Sequence, residues 1–128
     1  KVFGDPEALQ RLNAIVHPSL LQRILDRVEE QRGMGTKVVV VEAAIMIEAG
    51  WQSLSDEIWV TVAPEDTVVQ RVMAGKGLTE DQVRARIGSQ MPVEEKAKWA
   101  KVIVDTEGSL EEVRGRVEDL WRSLQERL

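Results

Sequence analysis

Four valines stand in succession, Val38, Val39, Val40 and Val41, between Lys37 and Glu42. A strand with one wet face alternates apolar and polar side chains. A run without alternation predicts a strand covered on both faces, the environment of a parallel sheet. Residues 57–63 (Glu-Ile-Trp-Val-Thr-Val-Ala) and 101–104 read as two further strands, with helical periodicity before, between and after them. Strands alternating with helices predict an α/β fold, a parallel sheet with covering helices.

The helical segments are marked at their ends. Asp5 before Pro6 is a capping acceptor followed by a residue suited to the first helical position. Leu9, Leu12 and Val16 then recur at helical spacing. His17-Pro18 is expected to break this helix and start another, whose stripe is Leu20, Leu21, Ile24, Leu25 and Val28 and whose end is at Gly33 and Gly35. A short helical segment is expected near 45–51. Pro64-Glu65-Asp66 opens a helix with acidic residues at its positive end, and Gly75 and Gly77 close it. Thr79 and Gln82 have the spacing of a capping box, as do Ser109 and Glu112. Val83, Ile87 and Met91 form one stripe of the following helix, with Arg86 and Gln90 beside it four residues apart and so facing one cleft. Another helix is expected over 93–100. The last carries Leu110, Val113, Val117, Leu120, Trp121 and Leu124. The excursion over 64–100 is longer than a covering helix needs and has two glycines at a joint, which predicts a helical lid on a hinge.

Composition narrows the functional classes. A net charge of −5 argues against a nucleic-acid partner, because phosphate neutralisation needs a basic patch. With no cysteine and a single histidine, neither a thiolate nor a His-rich metal site is available, and no metal ligands are assigned. The longest apolar run, 38–47, is interrupted by Glu42 and is too short to span a bilayer. No signal-peptide pattern is present, so the expected location is cytoplasmic, with no membrane partner. The four tryptophans read as packing residues.

In order along the chain, the motifs resemble those of the dephospho-coenzyme A kinase family. Val2-Phe3, Asp5-Pro6, Leu12 and His17-Pro18 are similar to the opening of that family's acceptor-binding helices. Residues 38–42 followed by Glu48-Ala49-Gly50-Trp51 resemble a core strand and the acidic turn after it. Gly77-Leu78-Thr79 through Gln90-Met91-Pro92 resemble the lid, and Asp105-Thr106-Glu107-Gly108-Ser109 the loop by the adenine. The resemblance runs nearly end to end. It implies a P-loop-kinase-like fold and transfer of the ATP γ-phosphate, with magnesium, to the ribose 3′-hydroxyl of dephospho-coenzyme A. Such catalysis is mostly positioning and charge neutralisation.

The resemblance assigns roles to particular residues. Arg71 and Lys76 would act at the transferred phosphate, Thr106 and Gly108 at the nucleotide, and His17, Glu48, Arg86 and Gln90 at the acceptor. Each also has a plainer reading: a solvated helix residue for Arg71, an exposed glycine-flanked lysine for Lys76, a surface pair for Arg86 and Gln90, a packing or capping histidine for His17, a capping carboxylate for Glu48. The family's lid arginine is replaced by Gly75, and the positions of Lys101 and Thr106 also depart from its pattern. These departures leave a non-catalytic module binding a coenzyme A precursor as the alternative. No GxxxxGK[ST] phosphate loop occurs in the chain. The expectation is therefore one incomplete kinase domain lacking the first strands: acceptor-binding helices over 1–36, core strands over 37–63, the lid region over 64–100, and the last strand and helix over 101–128. The phosphate loop, its lysine and most magnesium ligands would belong to a missing N-terminal segment, and this chain alone would be inactive.

Overall fold

A computed structural model describes residues 5–128. Val2 and Phe3, the start of the family-like opening, lie outside the described residues. The chain divides into two compact units, Lys1–Ala49 and Gly50–Leu128.

The first unit is built on one helix, α1 (Pro6–Gly33). Asp5 caps it, its Oδ1 accepting from the Ala8 amide at 3.0 Å. The expected break at His17-Pro18 does not occur, because Pro18 lies inside the helix. A proline removes one amide donor and crowds the preceding turn at a cost of roughly 3 kcal/mol, yet its fixed φ is helical. The good helix formers that follow, tied along the surface by Arg27–Glu30 and Arg32–Glu29 pairs at 2.6 Å, continue the ladder. The helix ends where the glycines predict. Gly35 has φ 74°, and the Gly35 and Thr36 amides donate to the Arg32 and Gln31 carbonyls at 3.0 and 3.1 Å. This paired closure needs a left-handed residue, which glycine takes without strain.

The valine run corrects the sequence reading. Residues 37–42 form no strand, and Val40 is 80% exposed. A strand exists only as part of a ladder, and no described residue pairs with this run. The β-preference of valine cannot substitute for a partner. Residues 44–50 form successive turns in place of the expected short helix, with the Ala49 amide donating to Ile45 O at 2.8 Å.

The second unit holds the sheet. Strands β1 (Trp59–Val62) and β2 (Val102–Asp105) pair in parallel, Trp59 opposite Val102 and Val62 opposite Asp105. This is the expected parallel arrangement, with two strands rather than three. Between them run α2 (Glu65–Lys76), α3 (Glu80–Gly88) and α4 (Val93–Ala97), and after them α5 (Leu110–Gln125). Trp51, Val60, Val69, Val83 and Val104 are the buried apolar side chains of this unit. Trp99 is 54% exposed, so it does not join them as expected.

Gly75 lies within α2. It is Gly77, at φ 61°, that ends the helix in the left-handed conformation. Both capping boxes form: Thr79 with Gln82 and Ser109 with Glu112. Helix α3 stops at Gly88, so Met91 and Gln90 lie beyond it. Ser89 turns its hydroxyl onto the Arg86 carbonyl at 2.8 Å, and Pro92 disfavours a helical conformation just before it. The helix expected over 93–100 is confined to α4.

Candidate functional site

Parallel pairing brings the carboxyl ends of β1 and β2 to one edge of the sheet, the edge where open α/β sheets bind ligands. Thr106 follows β2 directly. Its amide donates to Val62 O at 2.8 Å, prolonging the ladder, and its hydroxyl donates to the same oxygen at 2.9 Å. Arg71, two turns into α2, reaches across from the other strand's helix. Its Nη2 donates to Thr106 O at 2.8 Å and its Nη1 to Thr106 Oγ1 at 3.4 Å. Arg71, Thr106 and Gly108 line a cleft of about 310 Å³ together with Leu110 and Val113 of α5. Arg71, assigned to the transferred phosphate, thus lines one cleft with Thr106 and Gly108, assigned together to the nucleotide.

The loop over 105–109 is closed by its own hydrogen bonds. The Asp105 carboxylate accepts from the Glu107 amide at 2.8 Å. Arg116 Nη1 donates to the carbonyls of Asp105 and Glu107 at 3.0 and 2.6 Å. Glu112 Oε2 accepts from the Ser109 amide and hydroxyl at 2.7 and 2.8 Å. These bonds to Ser109, backbone first, and the Arg116 guanidinium beyond them hold the Glu112 carboxyl below its ordinary range. Gly108 has φ 99°, a conformation that favours glycine, and a Cβ there would lie 2.6 Å from Glu112 Oε2, so the Glu112 carboxylate would have to shift to admit one.

The remaining assigned residues are placed as follows. Lys76 is the exposed last residue of α2, and its side chain bonds no described residue. Arg86 is exposed on α3. Gln90 does not share its helix face, because α3 has ended; Gln90 Oε1 instead accepts from Lys96 Nζ at 3.2 Å. In the first unit, His17 is half-buried in the interior of α1 rather than at a helix start, and Glu48 is exposed in the turns over 44–50.

Two arginines were not singled out in the sequence. Arg84 joins α3 to the start of α2, its guanidinium bonding Glu80 at 2.8 Å, Asp66 at 3.1 Å and Glu65. The hydrogen bonds it donates to Glu80 and Asp66 raise its already high pKa. Arg116 holds the loop over 105–109. Its four-residue spacing from Glu112 was visible in the sequence, but nothing local distinguished it from Arg114 with Glu118 on the same helix.

Comparison with known proteins agrees along the chain. The dephospho-CoA kinase family model matches residues 1–112. A dephospho-CoA kinase of Geobacter sulfurreducens is 41% identical over 120 residues, covering 94% of this chain and 61% of that protein. One of Carboxydothermus hydrogenoformans is 41% identical over 116 residues, covering 91% and 56%. Among solved structures, the Thermus thermophilus protein TT1252 superposes with a TM-score of 0.74 at 33% identity, covering 96% of this chain and 63% of that one. The dephospho-CoA kinase of Campylobacter jejuni does so with a TM-score of 0.64 at 26% identity, covering 96% and 61%. The chain spans about six-tenths of the length of these relatives.

Proposed function

Since the chain belongs to the dephospho-CoA kinase family, we propose that it supplies the acceptor-binding helices, lid and nucleotide loop of an ATP-dependent kinase acting in the cytoplasm. The reaction moves the γ-phosphoryl group of ATP to the ribose 3′-hydroxyl of dephospho-coenzyme A, releasing ADP and a proton. This is the last step of coenzyme A synthesis. The observation that carries the reading is the junction of Arg71 with the loop over 105–109 at the carboxyl edge of the parallel strands. A guanidinium fixed by a backbone carbonyl is a preorganised cation beside a cleft, the kind of group that stabilises phosphoryl transfer.

In this reading Thr106 and Gly108 border the nucleotide, and Arg71 faces its phosphates. Lys76, exposed at the end of α2 and followed by the left-handed Gly77, brings its charge in when the α2–α3 lid closes. His17, Glu48, Arg86 and Gln90 serve the acceptor. Magnesium neutralises the phosphates and is held mainly by residues outside this chain, in a preceding segment that also carries the phosphate loop. The full-length protein carrying this chain is expected to convert ATP and dephospho-coenzyme A to ADP and coenzyme A in the presence of magnesium. Residues 1–128 alone are expected not to. A panel of nucleoside and pantetheine acceptors fixes the substrate. A full-length protein inactive on dephospho-coenzyme A refutes the proposal.

One observation favours a second reading. Gly75 occupies the last turn of α2 with no side chain to offer, where the family has its lid arginine. A module that binds dephospho-coenzyme A without turnover would give a calorimetric binding signal and no ADP.

A further inference from the structure

We infer that Arg116 is a positioning residue for the nucleotide loop, acting through the backbone of residues 105–107 without touching the ligand. The inference rests on the nucleotide-loop reading above and adds a residue to it.

Two guanidiniums from different helices grip three successive carbonyls. Arg116 of α5 bonds the first and third, Asp105 O and Glu107 O. Arg71 of α2 bonds the middle one, Thr106 O. Such a peptide plane cannot rotate without breaking a charge-assisted bond on one side or the other. The amides of the loop are occupied in the same way. Thr106 N–H goes to Val62 O, Glu107 N–H to the Asp105 carboxylate and Ser109 N–H to the Glu112 carboxylate. Gly108 N–H bonds no described residue, and Gly108 lines the cleft beside Arg71 and Thr106. The carbonyls of residues 105–107 and the amides of Thr106, Glu107 and Ser109 are therefore all pinned beside this Gly108 donor at the cleft.

Arg116 pins the loop's carbonyls from outside the cleft. It is not among the cleft's lining residues, and it lies one helical turn beyond Glu112, whose carboxylate secures Ser109. Removing it releases the two carbonyls that flank Thr106 O and leaves Arg71 alone to set the orientation of the peptide between them. Ordering that was built into the free protein would then be demanded of the nucleotide on binding, which weakens affinity without altering the chemical step.

The test uses the full-length protein carrying this chain. Arg116→Ala, Arg116→Lys, Gly108→Ala and the control Arg114→Ala are compared by calorimetric ATP binding, by kcat and KM for each substrate, and by amide exchange over 105–109. Arg116→Ala should weaken ATP binding about tenfold, the worth of one charge-assisted bond. It should leave kcat and the KM for dephospho-coenzyme A within about twofold and speed exchange of the loop amides. Arg116→Lys keeps a charged donor on a flexible stem without the guanidinium fork and should recover part of the affinity. Arg114→Ala should match the unaltered protein. If Arg116→Ala leaves ATP affinity and loop exchange unchanged while Gly108→Ala weakens ATP binding, the role of Arg116 is overturned and the nucleotide-loop reading stands. If Gly108→Ala also leaves ATP binding unchanged, both fall.

Discussion

Helix α3, the second helix of the proposed lid, owes its seat to one small side chain. Val83 is 1% exposed, the most buried side chain of the described residues, on a helix otherwise lined with charge. Replacing it with alanine removes two carbons, worth about 1.6 kcal/mol at roughly 0.8 kcal/mol per buried methylene equivalent. The space left behind adds to the loss at about 24 cal/mol per Å³ wherever neighbours fail to close on it. Alanine's better helix propensity returns at most about 0.7 kcal/mol. The expected net cost of Val83→Ala is about 2 kcal/mol, a large share of a typical net stability of roughly 5–15 kcal/mol. Urea unfolding followed by circular dichroism measures it, with Val93→Ala as the comparison because Val93 is 37% exposed. If Val83→Ala costs no more than Val93→Ala, then α3 is not packed as described and is a loosely attached helix rather than a seated one.

Two further outcomes follow from the caps and the acid groups. Thr79 Oγ1 accepts from the Gln82 amide at 3.3 Å, and Gln82 Oε1 accepts from the Thr79 amide at 3.0 Å. Thr79→Ala should therefore cost about 1 kcal/mol in the same unfolding assay, and Thr79→Ser almost nothing; equal stability of all three proteins contradicts the cap. The Glu57 carboxyl is held below its ordinary value of 4.5, by its hydrogen bond from Arg127 first and that from Trp59 second, and Glu112 is lowered by Ser109. A carboxyl whose folded value is lowered stabilises fully above its unfolded value and loses that contribution as pH falls through the folded one. The melting temperature should thus fall on acidification below about pH 4.5, less steeply in Glu57→Gln and Glu112→Gln than in the unaltered protein. Parallel curves for all three would remove these groups from the acid response.

Some of this protein was legible because its signals act within three or four residues. Asp5, Thr79 and Ser109 cap the helices they precede, and Gly35 and Gly77 close theirs, because each satisfies amides or carbonyls on the adjacent turn. The errors have the same origin. The break expected at Pro18 weighed one lost hydrogen bond and overlooked the run of good helix formers after it. The four-residue spacing of Arg86 and Gln90 assumed a helix that Gly88, Ser89 and Pro92 bring to an end.

What local sequence determined, then, is how several helices are capped and closed, and the family to which the chain belongs. What only the tertiary structure decided is pairing. The four valines remained without a ladder because a strand needs a partner that its own sequence cannot provide. Arg71 and Thr106, 35 residues apart, meet because β1 and β2 run parallel and deliver both to one edge. Arg116 became distinguishable from its neighbours only when the loop's carbonyls were in place to receive it. Caps and turns are closed by bonds to the next few residues, whereas a sheet edge and the cleft above it are made by groups the chain must travel far to bring together.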